Sequence, residues 1–115
     1  MSIQRIGAGS RMSQAVVFGD MVYLSGQVGN LGDSAADQTK TILSNIESLL
    51  AEAGTSKSNI LKAEIWLSDM AYFEEMNRVW DAWIDPENPP ARATGESRLA
   101  AREFFVEIMV TAAKV

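Results

Sequence analysis

The stretch Ile60-Leu61-Lys62-Ala63-Glu64-Ile65-Trp66-Leu67 decides how the rest of the chain is read. Leu61, Ala63, Ile65 and Leu67 alternate with Lys62 and Glu64, the period-2 pattern of a strand with one face buried. Before it, Ile42, Leu43, Ile46, Leu49, Leu50 and Ala53 recur at helical spacing. Ser34 and Asp37 offer a start and Gly54 a stop, which predicts an amphipathic helix of about four turns. After it, Ser68 or Asp69 can cap a second helix, whose Phe73, Met76, Trp80, Trp83 and Ile84 form one stripe ending before Asp85-Pro86.

Farther out, Ala15 to Phe18 and Met21 to Ser25 are short β-prone runs joined by Gly19-Asp20, a tight hairpin. The second run ends in Ser25-Gly26-Gln27 and gives way to the polar, Gly-rich loop Gly29 to Asp33. At the other end, the segment Asp85 to Pro90 holds all three prolines and is stiff. Arg92 to Leu99 and Phe104 to Ala112 read as a second hairpin around Ala100 to Glu103. The order strand, strand, helix, strand, helix, strand, strand predicts an α+β fold in a single domain, residues 1–115, with one mixed sheet and both helices on one face. The other face carries Trp66 and, by parity, Phe105 and Met109 beside Glu107. Two helices cannot cover it, so it is expected to bury itself against another subunit.

Composition narrows the chemistry. A chain of 115 residues suits one compact domain, and 47% hydrophobic with 22% charged residues is ordinary for a globular protein. The net charge of -5 and ten scattered basic residues argue against a nucleic-acid partner. The absence of Cys and His removes thiol nucleophiles, thiolate metal sites, the commonest general base and the commonest zinc ligand. A metal site built on thiolate or imidazole ligands is therefore not expected. No apolar run approaches the roughly 20 residues of a membrane span, and Met1 to Arg11 lacks the apolar core of a signal peptide. The expectation is a cytoplasmic protein with no membrane partner.

Carboxylate, guanidinium, hydroxyl, amide and backbone groups remain for chemistry. Arg92 follows the rigid Pro89-Pro90 pair at the start of a strand, so its guanidinium is delivered from a fixed backbone. Glu107 stands between Phe104-Phe105-Val106 and Ile108-Met109-Val110, where desolvation raises a carboxyl pKa and favours handling of a proton. The same residue type also suits the solvated face of an edge strand, or an ordinary ion pair with Arg92.

Gly19-Asp20-Met21-Val22-Tyr23-Leu24-Ser25-Gly26-Gln27, Pro90-Ala91-Arg92-Ala93 and Val106-Glu107-Ile108, in that order and spacing, resemble the Rid family of reactive intermediate deaminases, also called YjgF. The likeness runs from about Gly9 to Ala113. It implies a chorismate-mutase-like fold and a homotrimer with clefts between subunits. It also implies cofactor-free hydrolysis of small imines and enamines, such as 2-aminoacrylate, to 2-keto acids and ammonia. Carried over by position, Arg92 would grip the substrate carboxylate and Glu107 would orient or activate water. Ser25 and Gly26 would lend backbone groups, and Asn77 would line the cleft from the second helix. Turn geometry and a helix-surface amide are the plain alternatives for these three.

The chain also departs from the family pattern. Ser10-Arg11-Met12 stands where many relatives carry Gly-Pro-Tyr, Thr94 replaces a common cysteine, and Leu99-Ala100 replaces Leu-Pro in a last hairpin one residue longer. Arg11 is either a second cation at the cleft or an exposed surface residue. An alternative function is a non-catalytic protein that binds or senses a small carboxylate. Ribonuclease action, a label carried by some members, fits poorly with the charge and the missing histidines.

Overall fold

The computed structural model describes residues 2–115. Seven strands form one sheet: β1 (Ile3–Ile6), β2 (Ala15–Phe18), β3 (Met21–Leu24), β4 (Gln27–Val28), β5 (Ile60–Leu67), β6 (Ala91–Glu96) and β7 (Val106–Ala113). The two helices are α1 (Ala35–Glu52) and α2 (Phe73–Trp83). The strand order is β1-β2-β3-β7-β5-β6, with β4 pairing β7 beyond the end of β3. All pairings are antiparallel except β5 with β6.

Side-chain parity sorts the sheet into two faces. Val106, Ile108, Val110 and Ala112 of β7 are buried, as are Ala63, Ile65 and Leu67 of β5 and Val22 and Leu24 of β3. They join Ile42, Leu43, Ile46 and Leu50 of α1 and Met76 and Trp80 of α2 in one core. Both helices therefore lie on one face, as the sequence predicts. On the opposite face Phe18, Tyr23 and Trp66 are 46%, 47% and 41% exposed. Large apolar side chains gathered on one uncovered face are what a subunit interface needs.

Local chemistry sets the helix ends. The Ser34 hydroxyl accepts from the Asp37 N–H and caps α1, which at 18 residues runs to five turns rather than four. Gly54, at φ 88°, stops the chain where a side chain would be strained. Asp69 caps a single 3-10 turn, Met70–Tyr72, that leads into α2.

Four expectations are corrected. The predicted hairpin of residues 92–99 and 104–112 does not form, because β5 lies between β6 and β7. A parallel neighbour needs a crossover, and α2 supplies one from β5 to β6. The following loop then passes over the end of β5, where Ser97 donates to the Leu67 carbonyl and Ser68 to the Phe105 carbonyl. Leu61 is exposed rather than buried, since the β5–β7 register slips between Ile60 and Lys62 and turns it out of the alternation. Phe105 lies before β7 and packs against Tyr72, with ring centroids 5.1 Å apart, instead of extending the outer face. Two strands went unread: β1, in which only Ile6 is buried, and the two-residue β4.

The loop ahead of α1 is pressed onto the helix. A Cβ added at Gly29 would stand 2.8 Å from Gln38 Cα and 2.9 Å from the Gln38 carbonyl oxygen, backbone atoms that cannot swing aside. Gly29→Ala is expected to lower stability by about 1 to 3 kcal/mol in urea denaturation, the usual range for overpacking.

Candidate active site

Arg92 pairs in register with Ala63, so its side chain leaves β6 on the helix-covered face. There it meets one stripe of α2, formed by Phe73, Asn77 and Trp80 at i, i+4 and i+7 spacing. Its Nη1 donates to Asn77 Oδ1 at 2.8 Å. The guanidinium carbon lies 5.4 Å from the Trp80 ring centroid and 6.0 Å from that of Phe73. The aromatic rings hold the guanidinium plane while the amide fixes one edge. No carboxylate pairs with Arg92 among the described residues. The result is a half-buried cation, restrained in orientation, whose remaining donors are free for an anion.

Thr94 lies two residues on, in register with Ile65 and on the same face. Its Oγ1 is buried with no hydrogen-bond partner among the described residues. A buried hydroxyl is normally satisfied, so this one is an exception within the strand that carries Arg92. Arg92 and Asn77 are thus in contact, and Thr94 lies on the same face of β6.

Glu107 is elsewhere. It pairs with Trp66 of β5 on one side and Val28 of β4 on the other, and parity puts it on the uncovered face. Its carboxylate sits against Gly26, where an added Cβ would collide with Glu107 Oε2. That approach arises from a one-residue register slip on β7: Tyr23 pairs with Thr111 but Gln27 with Ile108, so Ser25-Gly26 forms the step between β3 and β4. Burial pushes the Glu107 carboxyl above its ordinary 4.5. No cation pairs with it among the described residues.

A raised carboxyl pKa means that protonation favours the folded state. The associated stability is complete below the ordinary value of 4.5 and is lost as pH rises through the folded value. Glu107→Gln removes a desolvated charge at neutral pH, so thermal melting should find the variant at least as stable as the parent there. That advantage should close as the pH falls below 4.5. A pH-independent difference would show that burial does not disfavour the charge.

The remaining predicted residues divide between structure and surface. The Ser25 hydroxyl donates to the Ser13 carbonyl at 2.6 Å, and its N–H donates to the Gln14 carbonyl, so it braces the step beside Gly26. Arg11 is exposed in the connection between β1 and β2, and no hydrogen bond or ion pair ties it to either group among the described residues. Phe73 and Trp80, read from sequence only as core, are the platform beneath Arg92. Their spacing to Asn77 was the available signal.

Arg92 and Glu107 thus leave opposite faces of the sheet. With two strand spacings across and three residues along, their Cα atoms are separated by roughly 14 Å. One chain alone does not form a site that uses both.

Comparison with known proteins bears on this arrangement. The family model described as Endoribonuclease L-PSP matches residues 2–114. A RutC family protein of Haemophilus influenzae is 43% identical over 114 residues, covering 97% of this chain and 98% of its own. The RutC family protein YoaB of Escherichia coli K12 is 38% identical over 113 residues, covering 98% and 99%. Among solved structures, a YjgF-family protein from Neisseria meningitidis superposes with a TM-score of 0.97 at 45% identity, covering 100% of this chain and 97% of its own.

Proposed function

Because this chain belongs to the YjgF/RutC family, that of the Endoribonuclease L-PSP model, we propose that it hydrolyses small imines and enamines, such as 2-aminoacrylate, to 2-keto acids and ammonia without a cofactor. The site is a cleft between subunits of a homotrimer, where Arg92 of one subunit faces Glu107 of the next. The observation that carries this reading is the orientation of an unpaired guanidinium and a destabilised carboxylate toward opposite faces of one sheet.

In this scheme Arg92 takes the substrate carboxylate on the donors that Asn77 leaves free, and Thr94 lies beside it on the same strand face. Glu107 holds the water. Water adds to the imine carbon, its proton passes to the departing nitrogen, and collapse of the carbinolamine releases ammonia and the keto acid. An enamine first needs a proton on carbon. A carboxyl group whose burial favours its protonated form suits that donation, and its carboxylate form then suits the water. Neither step calls for His, Cys or a metal, so the composition is no obstacle.

Soaking crystals with a small 2-keto acid tests the assignment. The carboxylate should lie on Arg92 in an intersubunit cleft with Glu107 of the neighbouring subunit nearby. Binding there without any acceleration of imine hydrolysis would favour the carboxylate-binding alternative. For RNA cleavage, the net charge of -5 and the absence of His offer no support.

A further inference from the structure

The helix layer carries a cleft of its own. A cavity of about 490 Å3, in the size range of small-molecule sites, lies between α1 and α2 on the side of α2 away from Arg92. Phe73, Asn77 and Trp80 face Arg92, whereas Arg78, Val79, Ala82 and Trp83 face this cleft. Its apolar floor is Leu43 of α1 with Val79, Ala82 and Trp83.

The charges around the floor are unbalanced. Glu47, the acidic residue of the lining, accepts from Trp83 Nε1 at 2.6 Å and pairs with Lys57 at 3.5 Å. Lys57 also stands 5.2 Å above the Trp83 ring, so Glu47, Lys57 and Trp83 satisfy one another. Two cations remain. Arg78 makes no ion pair among the described residues, although Glu74 is one turn back. Lys40 has only a 3.8 Å contact with Asp37, both side chains being well over half exposed, and such a pair holds weakly. A protein of net charge -5 thus keeps two free cations beside an apolar floor.

We propose that the α1–α2 cleft is a second binding site, for a small amphipathic carboxylate. Its flat hydrocarbon body lies on Val79 and Ala82 against Trp83, and its anionic end is held by Arg78 and Lys40. An apolar floor supplies area and the free cations supply orientation, the usual division of labour in small-ligand pockets. A neutral molecule of the same shape would leave the cations unused, and a cation would be repelled.

Phenylacetate, with 2-phenylethanol as the neutral control, tests this in titrations followed by the indole N–H resonances of the intact protein. Phenylacetate is expected to shift the Trp83 resonance saturably at millimolar concentration, and 2-phenylethanol far less. The Lys40→Gln, Arg78→Gln double variant should weaken binding about tenfold or more. Arg92→Ala should leave it unchanged, which separates this site from the Arg92 cleft. Failure of the Trp83 resonance to respond, equal binding of the alcohol, unaltered affinity in the double variant, or loss of the response in Arg92→Ala would each overturn the proposal.

Discussion

Arg92→Ala is expected to cut imine hydrolysis by roughly thirty- to several-thousand-fold while the protein stays folded. Arg92 is the half-buried cation held by Asn77, and no carboxylate compensates it among the described residues. A substrate carboxylate therefore gains a charge-assisted, orienting contact that alanine cannot supply. Losing it costs about 2 to 5 kcal/mol of binding, which corresponds to that range of rates. The fold has no such dependence. Trp80 and Met76 are held by the core, and the contact between Arg92 and the aromatic rings contributes only about 1 kcal/mol. Turnover of imines generated from serine or threonine by a dehydratase, together with thermal melts, checks both halves. Near-parental turnover would remove the deaminase assignment.

Gln38→Leu should have the largest effect on stability. Gln38 is fully buried on α1, and its side chain makes three hydrogen bonds: Nε2 donates to the carbonyls of Asp33 and Glu103, and Oε1 accepts from the Phe105 N–H. It ties the start of α1 to the segment entering β7, the strand that carries Glu107. Leucine fills a similar volume but leaves the Phe105 N–H without its acceptor and two carbonyls short of a donor. The Glu103 carbonyl keeps the Gly32 N–H, which leaves two unsatisfied groups; at about 1 to 3 kcal/mol each, a loss of about 2 to 6 kcal/mol is expected in urea denaturation. A change below about 0.5 kcal/mol would mean that water replaces the amide there.

Much of this architecture is written in one-dimensional patterns. The stripe of Ile42, Leu43, Ile46 and Leu50, the Ser34 cap and the Gly54 stop define α1 because helix period and end chemistry are local. The alternation over β5 is equally local, and it fails only at Leu61, where a bulge depends on the register of β7. Strand order is not local. Two β-prone runs separated by a short loop look like a hairpin, and nothing between Arg92 and Val110 announces that β5 will lie between them. For the same reason Arg92 and Glu107 could each be singled out from their neighbours in sequence, while their placement on opposite faces could not. Gln38 was invisible because its partners lie 5, 65 and 67 residues away.

Subunit mixing tests directly whether Arg92 and Glu107 of neighbouring subunits share one site. In the proposed homotrimer, Arg92→Ala and Glu107→Gln should each disable every cleft. In trimers assembled at random from equal amounts of the two variants, a cleft built from neighbouring subunits recovers an intact Arg92 and an intact Glu107 in about one quarter of cases. Co-refolded mixtures should therefore regain about one quarter of the parental rate of imine hydrolysis, set against the near absence of activity in either variant alone. Mixed trimers that form, as mass spectrometry would show, yet remain as inactive as their parents would contradict a site shared between subunits.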